Sequence, residues 1–425
     1  MPEKGQKLLN FRAFLIAVAI AAGASGGLTA QETENTPSPP SDPFETWLAD
    51  LATEAESRGI SAATLEAALA GVEPIPRVIE LDRQQPEFTQ TFWRYLDTRV
   101  SEKRIQEGGA LLKKHRDLLN KIEARYGVQG RFLVAFWGLE TNFGQFLGGF
   151  PVIDALATLA FDERRSAFFR AELFDALTVL EGGHIARENM VGSWAGAMGQ
   201  PQFMPSTFAR HAVDEDGDGR KDIWGTLPDV FGSAANYLSS SGWDNDYTWG
   251  REVRLPEDFD LDLADLRLKK PLAEWQSIGV RRIDGRDLPN AQIEGAVILP
   301  AGIRGPAFLV YGNFDAIMNW NRSLLYAISV GHLADRLIGI GALQSPRRAE
   351  EPLSRDDVTA LQAGLNALGF DTGEPDGQAG PRTRAAVKAF QKEANLPADG
   401  YPNRAVLDAV QTEVAGADPA ISPAE

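Results

Sequence analysis

Cysteine is absent from the 425-residue sequence. That excludes disulfides, thiol nucleophiles, Cys-ligated zinc and a lipid-modified N-terminal cysteine, so a lipoprotein anchor is not expected. Histidine is scarce: His115, His184, His211 and His332 are the four. None stands in an H-E-x-x-H pattern, which excludes a zincin. Clustered positive charge is also lacking, with 42 Lys plus Arg against 59 Asp plus Glu and a net charge of −17. Neutralising nucleic-acid phosphates needs a basic patch, so no nucleic acid or anionic lipid surface is expected as a partner. What is present is 44% hydrophobic residues and 24% charged ones. Over this length the composition fits two to three globular domains with sizeable cores.

The N-terminus carries Lys4, Lys7 and Arg12, then the apolar run Phe14–Ala22, then small residues leading to Leu28-Thr29-Ala30. This is the layout of a secretory signal peptide over residues 1–30. Its apolar run is well short of the roughly 18–20 residues that span a bilayer. Cleavage is expected near Ala30, with an uncleaved anchor as the alternative, and no stable membrane span is expected afterwards. Residues 1–30 hold a local charge of +2, so the remainder stands at −19. Residues 31–43 form a polar, Pro-rich linker.

Residues 44–343 read as one large body, mainly α with a small β insertion. Trp47, Leu48, Leu51 and Ala55 share a helical face, and Leu111, Leu112, Leu118, Leu119 and Ile122 share one on a longer helix. Residues 131–140 are almost wholly apolar, which predicts a helix buried on most sides. Short runs at 251–255, 277–283, 296–299 and 307–311, broken by Gly and Pro, predict strands of a small inserted sheet. Helix resumes over 314–340. Residues 344–352 are a second linker, 353–412 a compact segment, and 413–425 a disordered tail.

The sequence Glu140-Thr141-Asn142-Phe143-Gly144 closes the apolar helix. Apolar neighbours Phe136, Trp137 and Phe143 and the negative helix end both predict a raised pKa for Glu140. A carboxylic acid still protonated near neutral pH can give its proton to a leaving oxygen. Alone, the same feature equally describes a solvated glutamate at a helix end. A second feature is the run Gly192-Ser-Trp-Ala-Gly-Ala-Met-Gly-Gln-Pro-Gln-Phe-Met-Pro-Ser206. Its small residues allow close backbone approach, with Ser193, Gln200 and Gln202 as polar groups beside it.

These two stretches, with Tyr95–Ser101, Asn236–Trp243 and Asn313–Ala327, resemble the lytic murein transglycosylase B family. The resemblance covers most of 44–343 and implies a lysozyme-like helical catalytic domain. It implies cleavage of the β-1,4 bond between N-acetylmuramic acid and N-acetylglucosamine in peptidoglycan glycan strands, leaving 1,6-anhydromuramic acid ends. By position, Glu140 matches the family's single catalytic acid/base. Ser193, Gln202, Asn321 and Tyr326 match polar residues around the muramic acid. Tyr95 and Tyr237 match groove aromatics, with Phe169 as a substitution at another. An ordinary retaining glycosidase needs a second carboxylate about 5–5.5 Å away. Asp154, the nearest downstream acid, reads as a helix N-cap. The family uses the substrate's own N-acetyl oxygen instead, and no cofactor is expected for catalysis.

The loop Asp214-Glu-Asp216-Gly-Asp218-Gly-Arg220-Lys-Asp222 follows a Ca²⁺-loop pattern, but Gly225 stands at position 12 where a bidentate Glu is expected. The candidate ligands are Asp214, Asp216, Asp218, Arg220 and Asp222, and the ion would brace the domain. The bland reading is an acidic Gly-rich turn. Residues 353–412, with Asp376-Gly377, Gly380-Pro-Arg-Thr383 and Asp399-Gly400, resemble the three-helix peptidoglycan-binding domain. There Leu361, Leu365, Leu368, Val387, Phe390 and Leu407 read as core. Such a module acts as a tether that raises local enzyme concentration. The resulting expectation is a soluble, monomeric, Gram-negative periplasmic lytic transglycosylase, with cell-wall synthesis or division complexes as candidate partners. The alternatives are a hydrolytic muramidase using Glu140 and water, and a non-catalytic wall-binding scaffold.

Overall fold

The computed structural model describes residues 42–84 and 90–417. The expected signal peptide, nearly all of the first linker and the end of the expected tail lie outside the described residues. The chain opens with α1 (Pro43–Ser57), α2 (Ala62–Leu69), α3 (Pro76–Gln84) and α4 (Phe92–Arg99). Leu51 and Ala55 of α1 are fully buried, as their spacing predicts. Next come α5 (Glu102–Lys114) and α6 (Arg116–Tyr126). These are two helices where the apolar spacing predicts one. His115, at φ −101° and ψ 19°, leaves helical geometry and breaks the run.

The apolar stretch forms α7 (Gly130–Thr141), with every residue from Phe132 to Leu139 buried. It is followed by β1 (Phe150–Pro151), α8 (Val152–Phe161), α9 (Ser166–Glu181), β2 (Val191–Gly192), α10 (Pro205–His211) and α11 (Leu227–Ser240). The sheet region supplies β3 (Gly250–Arg254), β4 (Lys270–Pro271), α12 (Leu272–Ser277), β5 (Arg281–Arg282), β6 (Glu294–Ile298) and β7 (Ala307–Val310). Two helices, α13 (Gly312–Trp320) and α14 (Leu324–Leu337), close the large body. The expected strand at 277–283 is mostly turn, because α12 runs to Ser277 and only Arg281–Arg282 pair with β3.

The five-stranded sheet has the order β4-β6-β7-β3-β5 and is antiparallel throughout. It lies between two cores. Ala296, Ile298, Phe308 and Val310 face the helical core, while Val253, Val297, Ala307 and Leu309 face a smaller one with Trp275. Strands covered on both faces need no polar side, which is why β6 and β7 read as continuous apolar runs. A separate core joins α1, α2, α8, α9 and α10. Tyr237 and Trp320 pack against both this core and the main helical one, so the seam between the two passes through them.

The α14 helix is buried along most of its length. At Gly331 a Cβ would stand 2.2 Å from the Trp249 ring, so only glycine lets that indole lie against the helix. His332 is 5% exposed. Burial pushes its imidazole down to about 4, and the charges of Arg336 and Arg347 act in the same direction. The unfolded chain, with His near 6.5, therefore binds the proton more readily than the folded one. Stability is full above about 6.5 and is lost as pH falls through about 4, by roughly 3 kcal/mol for this group. Burial lowers His115, His184 and His211 as well, so they add in the same sense. Urea midpoints at pH 7.5 and pH 5 are expected to differ, and His332→Gln is expected to shrink that difference. An unchanged difference would show that this histidine is not the cause.

The C-terminal module is α15 (Arg355–Ala367), α16 (Pro381–Glu393) and α17 (Arg404–Ala417) around Leu361, Leu365, Val387, Phe390, Leu407 and Val410. The α17 helix runs past residue 412, correcting the expected start of the tail: Val414 packs on this core and extends its apolar stripe by one turn. Each Asp-Gly turn is pinned by a buried glutamine. Gln362 accepts from the Asp376 and Gly377 amides and donates to Asp376, while Gln391 accepts from the Gly400 amide and donates to Asp399. The module is docked on the large body. Lys388 and Lys392 both reach Asp262 and the Ile303 amide donates to Asp399 Oδ2 at 2.9 Å, while Tyr401 donates to Glu350 of the connecting segment. Among the described residues no helix is long and apolar enough to cross a membrane.

Candidate active site

The α7 helix ends on a turn that only the fold can hold. Asn142 and Phe143 both take left-handed backbone, at φ 50° and 61°. Such conformations cost of order 1–3 kcal/mol each for non-glycine residues and cluster at functional sites. The compensation comes from the loop of small residues. Thr141 Oγ1 donates to the Gln200 carbonyl at 3.0 Å, and Trp137 Nε1 donates to Gln200 Oε1 at 2.6 Å. Gln200 Nε2 in turn donates to the Trp224 carbonyl at 2.7 Å. Gln202, itself at φ 50°, donates to the carbonyls of Leu147 and Gly199 at 3.0 and 2.9 Å. The two sequence motifs are thus one hydrogen-bonded unit.

Glu140 sits in the last turn of α7 and is half-buried. Its Oε1 accepts two hydrogen bonds, from the Trp320 indole at 2.9 Å and from the Tyr326 hydroxyl. Burial, the Glu140 charge and the bond to it push the Tyr326 hydroxyl well above the usual phenol range. Tyr326 therefore stays protonated and stays a donor. It reaches this position because Ser323 caps α14, accepting from the Tyr326 amide at 3.3 Å, while Asn321 Oδ1 accepts from the Ser323 amide at 3.2 Å. Asn321 also ends α13, one residue after Trp320. The break between α13 and α14, inside the expected helix 314–340, is what turns Trp320 and Tyr326 towards the same oxygen.

The remaining candidates divide. Ser193 is half-buried and its Oγ accepts from the amides of Ala195 and Ala197 at 3.3 and 3.0 Å. Tyr237 donates to the Asn319 carbonyl at 2.8 Å and sets its ring edge-on to Trp320, centroids 5.0 Å apart. Tyr95, on α4, is buried and acts electrostatically on Tyr326, so it backs the site rather than presenting an open face. Phe169 is a correction. It is 1% exposed inside the second core, with Arg165 over its ring at 4.7 Å, and cannot offer a face to a sugar. The neighbouring Phe168 carries the exposed ring instead, because successive helical side chains point about 100° apart.

Asp154 is a second correction. Pro151 is the N-cap of α8, and Asp154 lies in the first turn, where a negative charge suits the helix dipole. It pairs with Arg187, which also donates to the Ala68 carbonyl of α2. That commits Asp154 to holding helices together. The sequence reading singles out neither Trp320 as a contact of the acid nor the Trp137–Gln200 bond that joins the two motifs. Trp320 lay within a quoted motif, between Asn319 and Asn321, but no local pattern says that its indole reaches residue 140.

The acidic loop closes differently from its sequence pattern. Asp214, Asp216 and Asp229 bring one carboxylate oxygen each within 4.8 Å of one another. Asp229 comes from the first turn of α11 and is fully buried. Asp218 instead pairs with Arg220 at 3.3 Å, and Asp222 accepts from the amides of Trp224 and Gly225 at 2.9 Å each. Burial pushes Asp229 above the usual carboxylate range, against donation from the amides of Glu215, Asp222 and Asp216. An all-oxygen set of converging carboxylates matches what a hard cation such as Ca²⁺ takes. Asp229 thus brings a third carboxylate to the loop from the following helix, where the sequence pattern has Gly225 at position 12.

Comparison with known proteins adds a family. The transglycosylase SLT domain matches residues 43–335, and a peptidoglycan binding domain matches 354–410. Membrane-bound lytic murein transglycosylase B of Escherichia coli is 31% identical over 253 residues, covering 56% of this chain and 65% of that protein, just under two thirds of its length. SltB3 from Pseudomonas aeruginosa, solved with NAG-anhNAM-pentapeptide, superposes with a TM-score of 0.84 at 46% identity, covering 87% of this chain and 99% of SltB3. The E. coli lytic transglycosylase Slt35, solved with calcium, gives a TM-score of 0.60 at 27% identity, covering 70% and 93%.

Proposed function

The chain belongs to the transglycosylase SLT domain family, and from that premise we propose that it is a peptidoglycan lytic transglycosylase. It cleaves the β-1,4 bond between N-acetylmuramic acid and N-acetylglucosamine and leaves 1,6-anhydromuramic ends. The observation that carries this reading is the Glu140 carboxyl, held at a core seam by Trp320 and Tyr326. Glu140 protonates the glycosidic oxygen while the muramic N-acetyl oxygen attacks the anomeric carbon. It then takes the proton of the C6 hydroxyl as that oxygen closes the anhydro ring. Ser193 fits the N-acetyl carbonyl as a partner, since its oxygen is occupied by two amides and its hydrogen remains to donate. Asn321 likewise uses Oδ1 within the chain and keeps its NH₂ group for the sugar. Gln202 shapes the loop beneath.

Incubation with purified sacculi and mass spectrometry of the soluble products tests the reading. Anhydromuropeptides support it. Reducing-end muropeptides would make the protein a muramidase, and no release would leave a binding scaffold. The docked three-helix module holds the enzyme on its polymer. The signal-like N-terminus, the absence of cysteine and the wall-glycan substrate support a Gram-negative periplasmic location as part of this proposal.

Calcium in the acidic loop is the structural part of the proposal. Asp214, Asp216 and Asp229 would hold the ion, and its contribution there is to tie the loop to α11, away from the chemistry. Saturating Ca²⁺ is expected to stabilise the fold by about 2–3 kcal/mol at roughly a hundred times Kd. The melting temperature should rise by a few degrees over that in chelator, and Asp214→Asn should abolish the rise. Equal melting temperatures with calcium and with chelator would leave the loop as an acidic turn.

A further inference from the structure

We propose that the cleft where the C-terminal module meets the large body holds the short, carboxylate-ended peptides borne by the wall glycan, with Arg304 and Arg348 as their anchors. The inference rests on the reading of peptidoglycan as the substrate and names the part of that substrate held outside the active site. The cleft has a volume of about 390 Å³. It is lined mainly from three segments: the 301–305 turn of the body, residues 348–351 of the connecting segment, and residues 396–409 of the module. Ligand pockets of this size form preferentially at such junctions. Its walls are fastened to one another without help from the two arginines. The Ile303 amide donates to Asp399 Oδ2 at 2.9 Å, and Tyr401 donates to Glu350. The cavity is therefore preformed, and a ligand entering it has little of the protein to order.

The chemistry of the lining selects the ligand. Ile303 and Leu396 are large apolar side chains left 36% and 37% exposed, and both line this cleft. Among the described residues, no hydrogen bond or ion pair engages the guanidinium of Arg304 or Arg348. The acids beside them are occupied. Asp399 accepts from the Ile303 and Tyr401 amides and from Gln391, and Glu350 accepts from Tyr401. The Glu351 charge acts on Arg404, which itself pairs with Asp357 at 2.8 Å. Two unengaged cations in a protein of net charge −17 mark a place for an anion. A guanidinium matches a carboxylate with two parallel N–H···O bonds. Bare glycan suits the cleft less well. Trp93, which also lines it, already carries Arg347 over its ring at 4.7 Å, and aliphatic Ile303 and Leu396 offer no flat face to a sugar. Short aliphatic side chains between carboxylates, as in a wall peptide, match both the apolar walls and the two cations.

The test is a ratio of affinities. Full-length Glu140→Gln, which should bind without cleaving, is titrated with defined glycan strands that carry their peptides and with the same strands stripped of peptide by an amidase. The peptide-bearing strands are expected to bind about three- to tenfold tighter, the span of two exposed ion pairs. Adding Arg304→Gln and Arg348→Gln should bring that ratio to about one. Both side chains are exposed and unengaged, so the melting temperature should stay where it was. Lysine at both positions should keep part of the preference, because it keeps the charge and loses the planar fork. Added salt should narrow the ratio in the arginine-bearing protein, as exposed ion pairs are screened. A ratio near one with both arginines present, or a preference that survives their replacement by glutamine, would overturn the proposal. The reading on which it rests fails separately, through absence of anhydro products from the unaltered protein.

Discussion

Glu140→Gln should lose the release of anhydromuropeptides from sacculi by at least about 10²–10⁴-fold, the span attributed to a positioned acid or base. The amide has no proton acidic enough to give to a leaving oxygen and no basic site to take one back, so both steps fail together. The fold should stay intact. The glutamine can keep its carbonyl oxygen where Oε1 accepts from Trp320 and Tyr326, and the group is half-buried at a seam rather than packed in a core. Circular dichroism and the melting temperature should match the parent. Product release at the parent rate would remove Glu140 from the chemistry.

A second large effect is expected far from any proton. Gly148 has φ +114°, and a Cβ there would lie 2.0 Å from the Gly192 carbonyl oxygen and 2.7 Å from the Ser193 amide. Both obstacles are backbone and cannot swing aside. The first belongs to β2, whose Gly192 faces Phe150 of β1, and the second follows it directly. Gly148→Ala should therefore cost roughly 3 kcal/mol or more, combining a strained backbone with a forced separation of segments. What separates is the loop after Glu140 from the segment that carries Ser193, so glycan affinity should fall as well. Gly149→Ala is the control, because nothing stands within 4 Å of a Cβ at that position. Urea denaturation and KM for glycan strands read the two variants. Equal stability for both would mean the close approach at residue 148 carries no weight.

Much of the site was legible because it is written in short local patterns. An apolar run ending in Glu140 and turn-forming residues places a carboxyl at a helix terminus with apolar neighbours. The Gly192–Ser206 run announces close backbone approach through its small residues. The sheet was legible in outline, since β6 and β7 carry unbroken apolar runs. The expected strand at 277–283 is mostly helix end and turn, since α12, with the buried Trp275, runs to Ser277 and only Arg281–Arg282 pair, and helix and strand cannot be told apart over such short segments. Phe169 was misplaced because a resemblance of this kind picks out a helix, and one residue along a helix turns a side chain from solvent to core. Asp229 was missed because the twelfth loop position was searched in sequence, whereas the third carboxylate arrives from the next helix.

The order of motifs and the lack of thiols and zinc ligands follow from the amino-acid sequence alone, while the acid at residue 140 and the two-module layout rest on a family resemblance. Which atoms meet that acid follows from neither. Trp320 and Tyr326 lie 180 and 186 residues from Glu140, and they converge on one oxygen only because α13 breaks from α14 at Asn321 and both pack against α7 across the seam of two cores. Contacts of that separation depend on how whole helices are set against one another, and helix placement is decided by packing summed over the entire body rather than by any window of the chain.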